Sequence, residues 1–562
     1  MKYIILLILI VLIAALYIRG IILERNRRRM VYDSFIKDYG TKRKKEYTHG
    51  KAHLDGILKR ANIKDSVDEI TWSDLDMDAV FERIDHTKSA AGEEYLYYLL
   101  HDTGNTSNAK EIDRLADSIE KDSSVMGDVM MSLFRLGYAG EISPLDQLEL
   151  ITDKKGRFPV IHLIADFLYI PAISLIFIDS ISPMIGAGLV FALLIYNIVS
   201  YFRMRSEMED LLYTLGFVIR LSSEAIYLSN RSFDFLKDEN KRIEELIPFL
   251  RSVKSKGKYL SISGRSAGSS GSPMDVMLNY LNMIFHIDLI QYQLLIGKMS
   301  GRKEDIKWLF YLFGKTDAAV SVGDFRKSLD FYCKPIFKTF DASDRTSIGL
   351  TVREGYHPLI EKHVDNTIDT YKGILLTGSN ASGKSTFLRM IAVNAILAQT
   401  VYTACAKEYS APVYVIYSSI ALKDNLLGGE SYFIVEIRSL KRIIDALDPD
   451  KPLLCFVDEV LRGTNTVERI SASGVILEYL SGKNALCFAA THDGELADKM
   501  DGMFENYHFS ETVSKESVKF DYLLKPGKAH TRNAIKLLKV FGYPECITEE
   551  ASIEAVKLDS KG

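Results

Sequence analysis

The stretch Gly373-Ile-Leu-Leu-Thr-Gly-Ser-Asn-Ala-Ser-Gly-Lys-Ser-Thr-Phe-Leu-Arg-Met-Ile391 decides the fold of the C-terminal part of this 562-residue chain. Its pattern predicts an apolar strand, then a glycine-containing loop, then the first turns of a helix. The loop fits G-x-x-x-x-G-K-[ST], in which backbone N–H groups and the helix N-terminus bind phosphate oxygens. We therefore expect a phosphate site in which Lys384 reaches the β- and γ-phosphates and Ser385 binds Mg²⁺.

Two further apolar strands end in polar residues. The first, Leu453–Val457, is followed by Asp458-Glu459; one acid there can hold Mg²⁺, and the other can orient and polarise an attacking water molecule. The second strand, Ala485–Ala490, ends in Thr491-His492, where a histidine can hydrogen-bond a γ-phosphate. Because such strands alternate with helices, the sequence predicts a P-loop α/β domain with a largely parallel sheet.

The N-terminal residues predict a membrane anchor. Tyr3 to Ile18 carry no charge, and the apolar character resumes after Arg19-Gly20 as far as Leu23, close to the roughly 20 residues of a membrane span. A cleaved signal peptide is the alternative, but no small-residue cleavage site follows the apolar run. The arginines at 25, 27, 28 and 29 outnumber the preceding Lys2, which predicts the N-terminus outside and the bulk of the chain on the cytoplasmic side.

A second apolar block, Phe158–Phe202, is about twice as long as one span and is broken by Asp179-Ser-Ile-Ser-Pro183. Basic residues flank the block on both sides, so both of its ends are expected inside. The pattern predicts a transmembrane helical hairpin and three spans in total. The alternative is a pair of buried core helices. In a membrane, Asp166 would need a polar partner or a water-filled cavity.

Composition excludes some classes of protein. Lys and Arg number 70 against 74 Asp and Glu, a net charge of -4, so the chain is not a globally basic nucleic-acid binder. Local basic runs such as Lys42-Arg-Lys-Lys45 can also be contacts with anionic lipid. The five cysteines include no C-x-x-C pair, which predicts reduced thiols and no structural metal.

The expected domains alternate between membrane and cytoplasmic segments. An all-α, lever-like region is interrupted by the hairpin and precedes the α/β domain. A Ser- and Gly-rich stretch at 261–273 predicts a flexible loop within that region. The predicted domains are a transmembrane anchor at 1–23, a first helical part at 24–157, the hairpin at 158–202, a second helical part at 203–345 and the α/β domain at 346–562.

Motifs of the α/β domain resemble those of the MutS family of DNA mismatch-repair ATPases, which belong with the ABC-type ATPases. Thr377–Thr386 resembles T-G-P-N-M-G-G-K-S-T, and Asp424–Glu436 resembles D-D-L-x-x-G-x-S-T-F-x-x-E. Asp458–Thr466 resembles D-E-I-G-R-G-T-S-T, and Thr491–Leu496 resembles T-H-Y-x-E-L. Upstream, Gly355–Pro358 is similar to the G-R-H-P entrance of the family's ATPase domain. The matches follow the order of the family.

The resemblance extends more weakly into the helical region. Asp85–Gly92 resembles the D-x-T-x-T-A-x-G stretch that opens the family's lever domain, and Lys315–Ser321 resembles its end. No room precedes Asp85 for the family's mismatch-reading and connector domains, and the only Phe-x-Glu tripeptide, Phe509-Ser-Glu511, lies inside the ATPase domain. The resemblance therefore implies a variant without specific mismatch recognition.

The resemblance also implies an ATP hydrolase that uses ATP and Mg²⁺ and forms a homodimer with two shared sites. The Mg²⁺ ligands would be Ser385 and Asp458. The expected catalytic residues are Glu459, His492 and Lys384. The expected ATP-binding residues are Gly378, Ser379, Asn380, Ala381, Ser382, Gly383, Lys384, Ser385, Thr386 and, acting in trans on the nucleotide of the other subunit, Ser431.

These expectations combine in a membrane-anchored ATPase whose ATP-dependent dimer closure drives or switches an unidentified partner protein at the cytoplasmic membrane face. The alternative is a DNA-binding repair or recombination ATPase tethered to the membrane, with non-specific DNA contacts. An exporter of the ABC kind is disfavoured because three spans offer little pathway. Membrane lipid is an expected partner in both of the first two cases.

Overall fold

The computed structural model describes residues 2–42, 53–61, 63–140, 142–152, 160–178, 182–257, 280–299, 301–378, 382–420, 432–461, 464–513, 518–529, 535, 538 and 541–559. In the first helix, side chains are described from Ile18 onward, with gaps. Several predicted features lie outside the described residues, namely Ser379, Asn380, Ala381, Ser431 and the loop at 261–273.

The part of the chain before residue 328 is helical, as the spacing of its apolar residues predicts. Short 3-10 turns at Leu175–Phe177 and Asp234–Leu236 join some of the helices. The described helices are α1 (Lys2–Asp38), α2 (Glu69–Asp74), α3 (Met77–Ile84), α4 (Ala90–His101), α5 (Thr106–Glu120), α6 (Ser123–Leu136), α7 (Pro144–Thr152), α8 (Val160–Phe167), α9 (Tyr169–Ser174), α10 (Pro183–Arg231), α11 (Lys237–Lys256), α12 (Ile287–Met299) and α13 (Lys303–Lys327).

Helix α13 packs against both α4 and α5 at the centre of the helical region. Asp317 on α13 accepts hydrogen bonds from the N–H (2.9 Å) and the hydroxyl (2.6 Å) of Ser89, which is the N-cap of α4. A carboxylate at a helix N-terminus is stabilising because the N–H groups of the first turn are unpaired there. Gly92 makes room for it, since a Cβ at that position would lie 2.3 Å from Asp317 Oδ2. The stretch Asp85–Gly92 is thus a capped helix start fastened to α13.

The second apolar block forms two arms of different regularity. The first arm consists of α8, α9 and a 3-10 turn, whereas the second arm, α10, continues unbroken from Pro183 to Arg231. No helix end marks the predicted boundary at residue 202, because the sequence passes from apolar to amphipathic without a helix-stopping residue. The two arms are in contact, so the block folds back on itself as a hairpin.

Among the described residues, one helix is long and apolar enough to cross a membrane, Pro183–Met204, with a mean hydropathy of 1.9. A shorter apolar stretch, Leu163–Phe177, precedes it. Only 17% of the apolar 18-residue part of this helix is buried, whereas a helix in the core of a protein is buried on most sides. The exposed apolar surface of this helix leaves both the membrane span and the alternative of two helices covered by other protein as predictions. The first predicted span, residues 1–23, lies in α1, where the side chains before Ile18 are outside the described residues, and the three-span topology stays a prediction.

The C-terminal part is an α/β domain. A 3-10 turn at Arg345–Ile348 precedes most of its strands. Its described strands are β1 (Ile336–Phe337), β2 (Leu350–Gly355), β3 (Asn366–Thr370), β4 (Gly373–Thr377), β5 (Glu408–Ala411), β6 (Val415–Ser419), β7 (Leu453–Asp458), β8 (Ala485–Ala490), β9 (Phe504–His508), β10 (Glu511–Val513), β11 (Val518–Phe520) and β12 (Lys525–Pro526), and its described helices are α14 (Lys384–Val401), α15 (Tyr432–Asp445), α16 (Thr466–Ser481), α17 (Gly494–Lys499) and α18 (Glu545–Asp559).

The predicted parallel sheet is confirmed. Its strands lie in the order β12-β9-β4-β8-β7-β6, and all neighbouring pairs are parallel except β12 with β9. Asp458 at the end of β7 is in register with Ala490 at the end of β8, and Leu376 in β4 is also in register with Ala490. The carboxyl ends of β4, β7 and β8 therefore meet at one edge of the sheet, where ligands bind in open α/β sheets.

A second, smaller sheet includes a strand that lies before the predicted boundary at 345/346. Its strands lie in the order β1-β5-β2-β3, so the first of them belongs to the α/β domain although it begins at Ile336. Ile336 is in register with Ser410, and Cys333 exchanges backbone hydrogen bonds with Ala404. The strand was missed because its two residues, which pair only with a distant segment, are too short to produce a period in the sequence.

Short helix α2 fastens the helical region to the edge of the large sheet. Asp74 Oδ2 accepts hydrogen bonds from the Ser418 hydroxyl (2.8 Å) and the Ile420 N–H (2.8 Å), at the end of β6. Nearby, Arg442 on α15 contacts Asp68, the N-cap of α2. The two parts of the chain are thus joined by buried and partly buried polar contacts as well as by apolar packing.

Candidate active site

The glycine loop between β4 and α14 has the backbone that phosphate binding requires. Gly378 and Gly383 adopt positive φ angles of 138° and 106°, which side-chain-bearing residues rarely adopt. A Cβ on Gly378 would also lie 2.9 Å from the carbonyl oxygen of Phe509. Lys384 is buried, and its Nζ donates a hydrogen bond to the Gly378 carbonyl oxygen (2.6 Å). The lysine therefore lies across the loop, in the position from which it can reach phosphate oxygens.

Two groups at this loop fit a phosphate and its metal ion. The hydroxyl of Ser382 is buried, and among the described residues it has no hydrogen-bond partner. A buried hydroxyl without a partner is costly, and a phosphate oxygen would satisfy it. Ser385 Oγ contacts Asp458 Oδ2 directly, although the two residues are 73 positions apart. A hydroxyl and a carboxylate oxygen are ligands of the kind that Mg²⁺ prefers.

The turn after β7 is strained at the predicted base. Glu459 has a positive φ of 55° and Leu461 one of 60°, and such backbone angles in residues with side chains concentrate at functional sites. Two hydrogen bonds hold the turn: the Glu459 N–H donates to the Ala490 carbonyl oxygen (2.9 Å), and the Leu461 N–H donates to Glu436 Oε1 (2.5 Å). Glu436 on α15 is the last residue of the segment Asp424–Glu436 that resembles a family motif. The sequence did not predict its hydrogen bond with the backbone of the acidic turn.

His492 lies beside the carboxylate of Glu459. Its Nδ1 is 3.7 Å from Glu459 Oε2, and its Nε2 is 3.6 Å from Asp493 Oδ1. The imidazole is 46% exposed, whereas the Glu459 side chain is 6% exposed. Asp493 is held by Arg469, whose Nε and Nη2 each donate a hydrogen bond of 2.9 Å. The histidine therefore faces open space at the edge of the sheet, where a bound group can reach it.

A cavity of about 350 Å³ adjoins the glycine loop. No sequence motif predicts this cavity, because its walls come from four separate segments of the chain. Its lining includes Tyr356, His363, Asn366, Gly383, Phe387 and Tyr522. The cavity is partly aromatic with a few polar groups, the composition typical of small-molecule sites.

Histidine rings form one side of this cavity. His363 stacks on Tyr356 with ring centroids 4.0 Å apart, and its Nδ1 lies 2.6 Å from Asp365 Oδ1. Burial, with a smaller effect of Arg389, lowers the pKa of His357 to about 4. The His357 ring is therefore neutral near pH 7, consistent with the hydrogen bond that its Nδ1 accepts from the backbone of the same turn (3.3 Å). The neutral ring of His357 and the aromatic faces of the cavity suit a flat heterocycle.

Comparison with known proteins supports the resemblance seen in the sequence. Residues 374–559, from β4 to the end of α18, match MutS domain V. The C-terminal part of this chain is homologous to the MutS family. The matched region contains the glycine loop, the acids after β7 and His492, so the predicted phosphate site lies within the part of the chain that is similar to MutS domain V.

Three relatives show how far the similarity extends. The DNA mismatch repair protein MutS of Natronomonas pharaonis is 32% identical over 231 residues, which are 39% of this chain and 26% of that protein. The MutS protein of Lactobacillus acidophilus is 33% identical over 245 residues, 41% of this chain and 28% of that protein. DNA mismatch repair protein MutS 2 of Haloarcula marismortui is 28% identical over 298 residues, 47% of this chain and 30% of that protein. The chain thus spans less than a third of the length of these curated relatives.

The structure brings together many of the predicted site residues. Gly378, Ser382, Gly383, Lys384 and Ser385 form one face of the site, and the acids after β7 and the histidine after β8 form the other. Thr386 lies in the first turn of α14 and lines the adjoining cavity. The remaining predicted ligands, including the serine expected to act in trans, lie outside the described residues, and their roles stay predictions.

Proposed function

We propose that the protein is a membrane-anchored MutS-like ATPase, in which ATP closes a dimer of ATPase domains and the closure drives or switches a partner at the cytoplasmic membrane face. The observation that carries the catalytic half of the proposal is the convergence of Ser385, Asp458 and Glu459 at one edge of the sheet, next to the cavity beside Gly383.

In this proposal each side chain has a distinct task. Lys384 and the loop N–H groups bind the β- and γ-phosphates, and Ser385 and Asp458 hold Mg²⁺, which would neutralise phosphate charge. The buried carboxylate of Glu459 accepts the proton of the attacking water. His492 donates a hydrogen bond to the γ-phosphate and, through its proximity to Glu459, senses whether that phosphate is present.

The dimer follows from the charge of the reacting group and from the resemblance to MutS. A transferring phosphoryl group is stabilised when donors surround it, and one subunit supplies donors from one side of the sheet edge. Ser431 of the second subunit would supply the other side, as its motif implies. ATP would then favour the closed dimer, and hydrolysis would release it.

The apolar hairpin supports the membrane part of the proposal. Its exposed side chains are unusually large and apolar for a surface in water. They include Ile164, Phe167, Ile170, Phe177, Met184, Ile185, Phe191, Ile195, Val199 and Phe202. The 22 residues of Pro183–Met204, at about 1.5 Å per residue, approximate the ~30 Å thickness of the hydrocarbon core.

Asp166, the one acid among the described residues of the apolar block 158–202, has polar partners. Asp166 Oδ1 accepts a hydrogen bond from Asn197 Nδ2 (3.3 Å) and lies 3.6 Å from His286 Nδ1. Asn197 also donates to the Ile284 carbonyl oxygen (2.8 Å). A polar residue at membrane depth requires partners of this kind, so the sequence of α8 is compatible with a lipid environment.

ATP hydrolysis by purified protein in detergent tests the catalytic proposal. The rate per molecule should fall when the protein is diluted below the concentration at which it dimerises, because each site needs both subunits. A rate per molecule that stays constant down to monomeric protein would contradict shared sites. The Glu459→Gln variant should retain bound ATP while hydrolysis falls about 100-fold or more, and Glu495→Gln, an exposed acid on α17, should behave like the parent.

The second candidate is a membrane-tethered DNA repair ATPase, which the similarity to DNA mismatch repair proteins favours. Binding of this chain to duplex DNA as salt is raised distinguishes the two, since phosphate contacts weaken steeply with salt. Tight, salt-dependent binding that responds to ATP would favour the repair candidate. No binding at low salt would exclude it.

A further inference from the structure

We propose that Arg326 is a positioning residue that holds the far end of the P-loop helix α14 on the helical region, and that the same turn of α13 couples this helix to the N-terminal helix α1. The inference concerns the control of the nucleotide site and rests on the proposed ATP binding. All the contacts that connect α14, α13 and α1 are between described residues.

The guanidinium of Arg326 is buried and joins three elements. Its Nε donates to Thr403 Oγ1 (2.8 Å), and its Nη2 donates to the carbonyl oxygens of Val401 (3.1 Å) and Tyr402 (3.0 Å). Its Nη1 lies 2.8 Å from Asp113 Oδ1 on α5. An arginine side chain that is only 3% exposed is retained where its planar fork satisfies several acceptors at once.

The acceptors are the last groups of the P-loop helix. Helix α14 begins at Lys384, at the phosphate loop, and ends at Val401. Its last carbonyl groups have no partner within the helix, and they carry the negative end of the helix dipole, so a cation there is favourable. Arg326 therefore places a positive charge at the C-terminus of α14, whereas the negatively charged phosphates are expected at its N-terminus.

Helix α14 is suited to carry a displacement from one end to the other. From Phe387 to Val401 nearly all of its side chains are buried, and closely packed interiors move as units rather than deforming locally. Gln399 near its end donates a further hydrogen bond to the Thr103 carbonyl oxygen of the helical region (3.0 Å). A shift of the phosphate loop would therefore reach α13 and α5 through these contacts.

The N-terminal helix docks on the same turn of α13. The N–H of Gly40, two residues after the end of α1, donates to Asp324 Oδ1 (2.6 Å), and Asp324 lies two residues before Arg326. Lys327 Nζ lies 5.3 Å from the ring centroid of Tyr39, and a Cβ on Gly323 would lie 2.4 Å from the Tyr39 hydroxyl. The last turn of α13 thus contacts the end of α1 on one side and the end of α14 on the other.

This arrangement gives the nucleotide site a mechanical connection to the helix that is predicted to enter the membrane. Phosphate binding moves α14, Arg326 transmits the movement to α13, and the Asp324–Gly40 hydrogen bond transmits it to α1. By reciprocity, a force on α1 alters nucleotide affinity by the same coupling free energy. Loss of Arg326 should therefore uncouple the two ends while the phosphate loop keeps its own ligands.

Hydrogen exchange measured by mass spectrometry on the full chain in detergent tests this inference. The probe is AMP-PNP with Mg²⁺, whose affinity is measured in parallel. In the parent, we expect AMP-PNP to change exchange at residues 36–42 and 320–327 by about fivefold or more, and in Arg326→Gln by less than about twofold. The control is Lys334→Gln, because Lys334 pairs with the same Asp113 (2.9 Å) but belongs to neither α13 nor α14; it should respond like the parent.

A second variant protects the test against loss of folding in Arg326→Gln. Thr403→Val removes one acceptor of the guanidinium and keeps the shape of the side chain, and it should also reduce the exchange response at 36–42. A parental response in either folded variant would overturn the role of Arg326. AMP-PNP binding by the parent without any response at 36–42 would overturn the coupling alone, whereas absence of AMP-PNP binding would overturn the proposed function together with it.

Discussion

The hydroxyl of Ser385 in the first turn of α14 donates a hydrogen bond to the carboxylate of Asp458 at the end of β7. The pair joins the phosphate loop to the acidic turn, and a hydroxyl and a carboxylate oxygen are both ligands of the kind that bind Mg²⁺. Ser385→Ala and Asp458→Asn should each lower Mg²⁺-dependent ATP hydrolysis about 100-fold or more, because the metal and its phosphate contacts are lost together. The measurement is the hydrolysis rate as a function of Mg²⁺ concentration.

Ser385→Thr is the matched control for this pair. Threonine keeps the hydroxyl and is the alternative residue of the motif, so its rate should stay close to that of the parent. If Ser385→Ala hydrolyses ATP as fast as Ser385→Thr at every Mg²⁺ concentration, the hydroxyl is not a metal ligand.

The ring of Tyr522 lies next to Gly383 of the glycine loop. A Cβ on Gly383 would lie 3.0 Å from its ring, and the Tyr522 carbonyl oxygen accepts a hydrogen bond from Asn366 Nδ2 (3.0 Å). We expect the adenine ring to occupy the cavity next to this ring. Tyr522→Ala should then weaken ATP binding about tenfold, since base–aromatic stacking contributes about 1–3 kcal/mol, whereas Tyr522→Phe should bind normally.

Tripolyphosphate separates stacking from damage to the loop. It carries the phosphates without the base, so Tyr522→Ala should bind it as tightly as the parent does in a calorimetric titration. An equal loss of affinity for ATP and for tripolyphosphate would mean that Tyr522 supports the loop rather than the base.

The sequence predicted the parts of the site that are local. Each strand that ends in a ligand, such as the one before Asp458, carries its own apolar run and polar terminus, and the loop at Gly378 carries a fixed spacing. The cavity could not be predicted in the same way, because Tyr356 and Tyr522 are brought together only by the small sheet and the C-terminal strands. The buried role of Arg326 was equally invisible, since its partners are backbone oxygens of a distant helix. Long-range pairing also explains why the domain begins before the predicted residue 346.

Charge on the exposed face of the hairpin tests membrane insertion. Phe191, Ile195 and Val199 are spaced by four residues on α10 and are all exposed, so they form one stripe. If the stripe faces lipid, an arginine near the middle of a span costs about 2.5–3.5 kcal/mol. The variant with both Phe191→Arg and Val199→Arg should therefore leave the hairpin outside the bilayer, so that a protease added to protein in phospholipid vesicles degrades residues 183–204, while the predicted first span still holds the chain on the vesicles.

Tyr371→Arg is the control for the hairpin variant. Tyr371 is also exposed, but it lies between β3 and β4 of the α/β domain, so arginine there should leave residues 183–204 as well protected from protease as in the parent. Full protection of residues 183–204 in the doubly charged hairpin variant would contradict insertion of this face, and the apolar stripe would then require a protein partner.

The buried His101 should make the helical region sensitive to acid. Its ring stacks on Trp72 with centroids 3.7 Å apart, and Nδ1 lies 2.8 Å from the Tyr97 carbonyl oxygen. Burial lowers the pKa of His101 to about 4, although the hydrogen bond to Tyr97 opposes the shift. In the unfolded chain the pKa of histidine is about 6.5, so between these two values the unfolded state binds more protons than the folded state.

The sign of the effect follows from this difference. The stabilising contribution of neutral His101 is fully present above about pH 6.5 and is lost as the pH falls toward 4, by up to about 3 kcal/mol. Burial also lowers the pKa of His357 to about 4, so neutral His357 stabilises the α/β domain over the same pH range.

Thermal unfolding followed by fluorescence reports on the helical region, because both tryptophans of the chain, Trp72 and Trp308, lie there. The parental midpoint should fall between pH 7 and pH 4.5, and it should fall less in His101→Phe, which keeps the stacked ring and cannot be protonated. If the unfolding midpoint falls equally in the two proteins, His101 is already protonated in the folded state or becomes exposed before the protein unfolds.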